Sequence, residues 1–407
     1  MSPAAAPRPQ WEMADVIRQH GASFLQQHGG WLSDMQSQAL RDLAACRTAA
    51  LGGHVLQCLD CGGQRPAYNS CRNRHCPKCQ AASRARWLER EAANLLDVDY
   101  FHVVFTLPAE VAELALANPA LMYDLLFQAS AATLARVAAQ PKYLGAVVGS
   151  VMVLHTWGQN LHHHPHVHAV VGGGGLSCNA RGVVDDLPRW KACRPGFFLP
   201  VRVLSRAFRG DYLHRLRQAF DAGRLIFPES LKALRDPRAF AAWLKPLSVK
   251  DWVVYAKPPF GGPERVLKYL ARYTHRVALS NSRIASVEAE QVRFHYKDYA
   301  DDHRQKTMAL SGEEFLRRFV QHVLPRGFVK VRHYGLLANR SRKANLAECR
   351  RLLLVEGVRQ GDPPAAVPAS EVRPAVVPCC PHCGGSRLVR AELLVDPKPE
   401  VESCDTS

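Results

Sequence analysis

The sequence predicts an α+β fold, a sheet of few strands with helices on its faces, preceded by a small cysteine-rich module. Three observations carry this. Segments of period two and period 3.6 alternate irregularly along the chain. Hydrophobic residues are 47% and charged residues 22%, an ordinary globular balance that excludes global disorder, collagen-like repeats and coiled-coil rods. Two Cys-x-x-Cys pairs stand close together near the N-terminus, at 58–61 and 76–79. A length of 407 residues suits two or three units.

The elements follow in order. After an Ala/Pro-rich start, helical periodicity runs over 11–49. The cysteine module occupies 54–80, and 81–96 reads as a basic helix. Segment 100–107, β-branched and aromatic and closed by Pro108, reads as a strand. A long amphipathic helix is expected within 110–139, a second strand over 145–157, and a third over 167–171, ended by the glycine run 172–175. A basic helix over 205–222 has Ser205 as its N-cap. A short strand at 251–256 precedes the breaker Pro-Pro-Phe-Gly-Gly-Pro and a helix over 264–275. Two strands within 277–297 and a helix over 311–324, with a Ser311/Glu314 capping box, follow. Segment 360–381 holds six prolines and reads as a linker. The expected partition is a helix and cysteine module over 1–98, an α+β domain with helical insertions over 99–356, and a linker with a flexible tail over 357–407.

Fifty-three Lys and Arg against 36 Asp and Glu give a formal charge of +17, a field that favours a polyanion such as nucleic acid. The N-terminus shows no basic start followed by an apolar block, and the longest mostly apolar run, 145–154, is far short of a membrane span. A reducing cytoplasm is the expected compartment, where paired cysteines mean metal before disulfide.

Fourteen residues separate Cys61 from Cys76. Each Cys-x-x-Cys turn can present two thiolates to one ion, so Cys58, Cys61, Cys76 and Cys79 are the expected ligands of a structural Zn²⁺. Cys71 and His75 are spare donors able to replace one of them. A closed tetrahedron has no open position, which makes this zinc architectural. The arginines and lysines around it, Arg72, Arg74 and Lys78 among them, are candidate phosphate contacts. The other reading of those side chains is a solvated surface. At the far end of the chain, Cys379, Cys380 and Cys383 form half of such a knuckle.

Five histidines fall within 162–168, in the order His-His-His-Pro-His-Val-His. On an extended chain His166 and His168 share a face, while Val167 points into a core. Two imidazoles on one face can chelate a divalent ion and leave positions for substrate oxygen. Gln159 is the expected third ligand, whose amide oxygen suits Mg²⁺ or Mn²⁺; His155 and His163 are alternatives. Further on, Tyr269 and Tyr273 lie four apart, hence on one helix face, with Lys268 and Arg272 in the adjacent row. A hydroxyl beside cations is easier to deprotonate, and the cations can hold a phosphate. Alone, such a tyrosine pair reads as half-buried packing.

Taken together these segments resemble the two-tyrosine rolling-circle transposases of insertion-sequence family ninety-one, within the HUH endonucleases. The resemblance covers roughly residues 30–350 and rests on segments 68–80, 156–168, 272–278 and 332–339. It implies an HUH-like antiparallel sheet flanked by helices, His166 and His168 as metal ligands, and Tyr269 and Tyr273 as nucleophiles. It also implies single-strand cleavage and joining, through a 5′-phosphotyrosine, of single-stranded or hairpin DNA at transposon ends and target. Such joining keeps the phosphodiester energy, and no Gly-x-x-x-x-Gly-Lys loop for ATP is present. The compartment it implies is a bacterial cytoplasm, near the nucleoid. Competing readings are a rolling-circle replication initiator or relaxase, a non-catalytic zinc-finger DNA-binding regulator, and a zinc hydrolase. The regulator leaves the histidines and tyrosines without purpose, and the hydrolase lacks a His-Glu-x-x-His helix.

Overall fold

The computed structural model describes residues 9–260, 266, 277–299, 301–355 and 379–394. The N-terminal periodicity is split into α1 (Met13–His28) and α2 (Asp34–Ala45). Gly29 and Gly30 interrupt it, and Ser33 restarts it with a capping box to Gln36. Strands β1 (Gly53–Cys58) and β2 (Gln64–Tyr68) form a hairpin, and α3 (Gln80–Ala92) follows. After β3 (Tyr100–Thr106), the expected long helix is two, α4 (Ala112–Ala117) and α5 (Pro119–Ala139), because Pro119 can begin a helix but not continue one.

Strand β4 (Ala146–Trp157) matches its pattern, whereas β5 (His163–Ser177) runs straight through the glycines expected to end it. The reason is close approach. A Cβ on Gly175 would lie 2.0 Å from the Val147 carbonyl oxygen, and one on Gly174 2.6 Å from the Trp190 ring of β6 (Trp190–Ala192). Helix α6 (Val201–Asp221) starts after Pro200, so Ser205 is not its cap. Instead its hydroxyl donates to the Trp252 carbonyl at 2.6 Å. Helix α7 (Pro237–Val249) has no counterpart in the expected elements. Strand β7 (Val254–Phe260) continues through the prolines read as a breaker, and the expected helix at 264–275 lies outside the described residues except for Val266. Then come β8 (Ile284–Val287), β9 (Gln291–Asp298), β10 (Arg304–Ser311), α8 (Gly312–Val320), β11 (Val331–Gly335), α9 (Arg342–Val355) and β12 (Leu388–Leu394). Among the described residues no helix is long and apolar enough to cross a membrane.

The chain divides into two compact units. One contains Met1–Ser83, Leu279–Arg317 and Pro368–Ser407; the other contains Arg84–Ala278 and Arg318–Val367. In the first, two antiparallel three-stranded sheets run β12-β1-β2 and β10-β9-β8. Segment 379–394, expected in a flexible tail, is thus part of the N-terminal module: β12 pairs with β1 from Gly53↔Leu394 to Cys58↔Leu388.

The second unit is built on an antiparallel sheet of order β11-β4-β5-β3-β7, with β6 added to β5. Alternation decides its two faces. Phe101, Val103 and Phe105 of β3, Met152 and Leu154 of β4, and Val167, Ala169 and Val171 of β5 point into one core, closed by α5, α6 and α7. Each fully buried aliphatic or aromatic side chain there contributes roughly 1.5–3 kcal/mol. The even-numbered residues of β5, including His166 and His168, therefore occupy the opposite face. So do the even-numbered residues of β3, which pair with them. Observed here is the α+β antiparallel sheet flanked by helices that the sequence leads one to expect.

Candidate metal centre

Strands β4 and β5 set His155 directly opposite His166, so the two imidazoles emerge side by side on the non-core face. His168, two positions on, completes a trio whose ligand nitrogens all lie within 4.8 Å of one another. His155 is buried to 2% exposure, and His166 is half-buried. The backbone carbonyl of His164 accepts a hydrogen bond from His166 Nδ1 at 2.7 Å. His168 Nδ1 and His102 Nε2 are 2.8 Å apart, with the two rings stacked at 5.0 Å. Both contacts fix ring orientation and point to Nε2 as the coordinating atom of each. Burial, with the Lys257 and His166 charges behind it, holds His102 down to about 3, so it stays neutral.

The trio fits a divalent cation held by three imidazoles with the rest of its shell open to oxygen. It contains His155, which the sequence offers only as an alternative to Gln159; Gln159 lies in the turn that joins β4 to β5. His163, the other alternative, turns toward the core and bonds Tyr123 Oη at 2.8 Å. Tyr269, Tyr273, Lys268 and Arg272 lie outside the described residues. Their neighbour Val266 is fully buried in a cluster with Tyr100 of β3 and Val170 of β5. Both of those residues are even-numbered members of the histidine face.

The four thiols expected around one zinc are not brought together. Cys76 and Cys79 meet Cys46 and Cys71, whereas Cys58 and Cys61 meet Cys380 and Cys383. In the first cluster Sγ–Sγ separations are 3.5 Å for Cys46–Cys79, 3.6 Å for Cys71–Cys79 and 3.6 Å for Cys46–Cys76. A tetrahedron of Zn–S bonds near 2.3 Å sets its sulfurs about 3.8 Å apart, so this cluster has the dimensions of a structural zinc site. Burial pushes the Cys71 thiol up to about 12, so Cys71 keeps its proton until a cation displaces it. Cys46 sits at the C-cap of α2, outside any Cys-x-x-Cys pair, and Cys71 is one of the two spare donors. The other spare, His75, is not among the grouped ligands.

The candidate phosphate contacts separate. Arg72 is exposed and Arg74 half-buried. Lys78 is committed internally, its Nζ 2.8 Å from Glu12 Oε2 and 2.9 Å from the Cys46 carbonyl oxygen. On α6, Arg209 bonds the Lys250 carbonyl, Arg215 bonds Asp211 and Gln128, and Arg217 bonds Asp221. Those three are structural or solvated side chains.

Segment 332–339 is held by specific contacts. Arg332 lies 4.3 Å from the Phe127 ring centroid and 5.0 Å from that of Phe328, and it pairs with Asp124. His333 bonds the buried Glu91 at 3.1 Å. Gly335 has φ 61° and meets the Val148 carbonyl so closely that a Cβ would lie 1.9 Å from it. Residues 332–335 belong to β11, an edge strand fastened to the sheet.

Two family profiles match this chain: "Transposase zinc-binding domain" over residues 16–107 and "Putative transposase" over residues 149–345. A relative from Sinorhizobium fredii, named "Putative transposase y4qJ", is 54% identical over 342 residues, covering 84% of each chain. "Transposase for insertion sequence element IS801", from Pseudomonas savastanoi pv. phaseolicola, is 31% identical over 345 residues, covering 84% of this chain and 78% of the relative. No solved structure matches. The zinc-binding and transposase regions, with relatives alike over most of their length, place the chain in the transposases of insertion-sequence family ninety-one.

Proposed function

We propose that the chain cuts and rejoins single-stranded or hairpin DNA at transposon ends and target, through a covalent tyrosine intermediate at the histidine face. The observation that carries this is the His155, His166 and His168 trio, with Val266 buried on the same sheet face. Val266 stands three positions before Tyr269 and seven before Tyr273. Those are the spacings that share a face in a helix, the state read for 264–275.

The phenolic oxygen of Tyr269 or Tyr273 attacks the scissile phosphorus and gives up its proton. A bond forms between that oxygen and phosphorus, the P–O3′ bond breaks, and the departing 3′ oxygen takes a proton. The 5′ phosphate stays on the tyrosine, and a later attack by a 3′ hydroxyl reverses the exchange without ATP. Two tyrosines allow two strand ends to be handled in turn. His155, His166 and His168 would hold the divalent ion, and Lys268 and Arg272 the flanking phosphates. When bound, the ion withdraws charge from the non-bridging oxygens of the phosphate. Three imidazoles shift the preference toward Mn²⁺ over Mg²⁺, since Mg²⁺ favours oxygen donors.

The chain would act on chromosomal DNA in a bacterial cytoplasm, at the nucleoid. The test is incubation of labelled single strands with Mn²⁺. Wild type should yield a denaturation-resistant protein–oligonucleotide adduct, and the doubly substituted Tyr269→Phe/Tyr273→Phe protein none. An adduct that persists in the double variant overturns the reading.

A further inference from the structure

Cys58-Leu-Asp-Cys61-Gly62-Gly63 and Cys380-Pro-His-Cys383-Gly384-Gly385 are the same motif, more than three hundred residues apart. They fold into the same turn. Gly62 N–H donates to the Cys58 carbonyl at 2.9 Å, and Gly384 N–H to the Cys380 carbonyl at 2.9 Å. Cys58 N–H donates to the Gly63 carbonyl at 2.9 Å, and Cys380 N–H to the Gly385 carbonyl at 2.8 Å. Gly62 and Gly384 have φ of 72° and 73°, a left-handed conformation that suits glycine.

The two turns face each other as a related pair. Cys58 Sγ lies 3.6 Å from Cys383 Sγ, and Cys61 Sγ lies 3.5 Å from Cys380 Sγ. The contacts at the back are reciprocal. A Cβ on Gly63 would meet the His382 ring at 2.9 Å, and one on Gly385 would meet Asp60 Oδ2 at 2.2 Å. Arg387 donates to Asp60 at 2.6 Å, and Leu59 N–H to the Arg387 carbonyl at 2.9 Å. The sulfur spacing is that of a tetrahedral zinc site and far longer than a disulfide bond of about 2.05 Å.

We propose that Cys58, Cys61, Cys380 and Cys383 bind a second structural zinc ion, which clasps the C-terminal segment onto the N-terminal module. The matching zinc-binding profile ends at residue 107 and so contains only half of this site. The clasp explains why β12 lines up on β1: Cys58 ends β1, and Leu388 begins β12 a few residues beyond Cys383. The Cys58–Leu388 end of the pairing is thereby fixed beside the ion. On binding, each thiol gives up its proton to solvent and becomes a thiolate ligand, with no change of oxidation state.

The experiment measures zinc on the full-length chain carrying His166→Ala, which removes the histidine site from the count. Metal is quantified by plasma mass spectrometry after dialysis, and amide hydrogen exchange is followed over 388–394. The expected result is two zinc ions per chain, falling to one in the Cys380→Ser/Cys383→Ser variant, with exchange over 388–394 at least tenfold faster. One zinc in the parent overturns the proposal. So does an unchanged count, or unchanged protection of 388–394, in the double variant. A parent lighter by the two hydrogens of a Cys58–Cys383 or Cys61–Cys380 disulfide also overturns it. If the double variant does not fold, the parent's own stoichiometry still decides.

Discussion

His102 Nε2 sits 2.8 Å from Nδ1 of His168, on the adjacent strand, so a buried neutral imidazole orients a candidate metal ligand. For His168 to coordinate through Nε2, its Nδ1 must carry the proton and donate to His102. Outer-shell contacts of this kind typically change metal affinity by about 10–100-fold when lost. His102→Ala is therefore expected to raise the Mn²⁺ concentration needed for half-maximal nicking by that factor. The rate at saturating Mn²⁺ should be largely retained. A metal titration of nicking checks both, and an unchanged midpoint removes the positioning role.

Cys46 decides between the two ways of grouping the thiols. With Cys58, Cys61, Cys76 and Cys79 as one site, Cys46→Ser would leave zinc content unchanged. With Cys46, Cys71, Cys76 and Cys79 as the site, it costs one zinc ion and the cooperative unfolding of the N-terminal module. Zinc content and thermal unfolding of the variant distinguish these outcomes.

The glycines of β5 and α6 respond oppositely to a methyl group. Gly175→Ala sets its Cβ 2.0 Å from the Val147 carbonyl oxygen, in backbone that cannot swing away. A loss of about 2–3 kcal/mol is expected. Gly210 in α6 meets nothing within 4 Å, so Gly210→Ala should add about 1 kcal/mol. Denaturant midpoints of the two variants check the contrast.

Acid should weaken the second unit through His322 and His163. Burial lowers His322 to about 4, and burial, then the His322 charge, lowers His163 to about 3. Neutral His322 donates to the Leu161 carbonyl at 3.0 Å and accepts from Thr156 at 3.2 Å. Because both folded values lie below the unfolded value of 6.5, the unfolded chain binds protons first. Their contribution is complete above pH 6.5 and is lost as pH falls toward 4. Each should cost about 2 kcal/mol between pH 7 and pH 5. Equilibrium unfolding at the two pH values checks this, with His322→Asn showing a correspondingly smaller difference.

Much of the sheet and of the histidine site was legible because short-range alternation encodes it. His-Val-His entering an apolar strand defines which face carries the imidazoles, whatever the rest of the chain does. The third histidine is legible only as an alternative to Gln159, since His155 becomes a neighbour of His166 through the register of β4 on β5. The glycine run misled for a related reason. Glycine reads as a terminator locally, yet in β5 it admits β6 and the backbone of β4. The zinc ligands are hidden by distance along the chain: the nearest Cys-x-x-Cys pair in sequence is not the partner in space. The repeated Cys-x-x-Cys-Gly-Gly, at 58–63 and 380–385, was the available signal, and pairing like with like leaves Cys46 and Cys71 to Cys76 and Cys79.

The proposed chemistry requires a tyrosine close to Val266 in sequence to reach a phosphate at the His155, His166 and His168 face. Its most direct measurement is the mass spectrum of the peptide that stays covalently attached to a cut oligonucleotide after proteolysis. Expected is a peptide containing Tyr269 or Tyr273, joined through its phenolic oxygen to a 5′ phosphate, and formed only with divalent metal. Attachment at a residue outside 269–273, or cleavage with no covalent peptide at all, would contradict it.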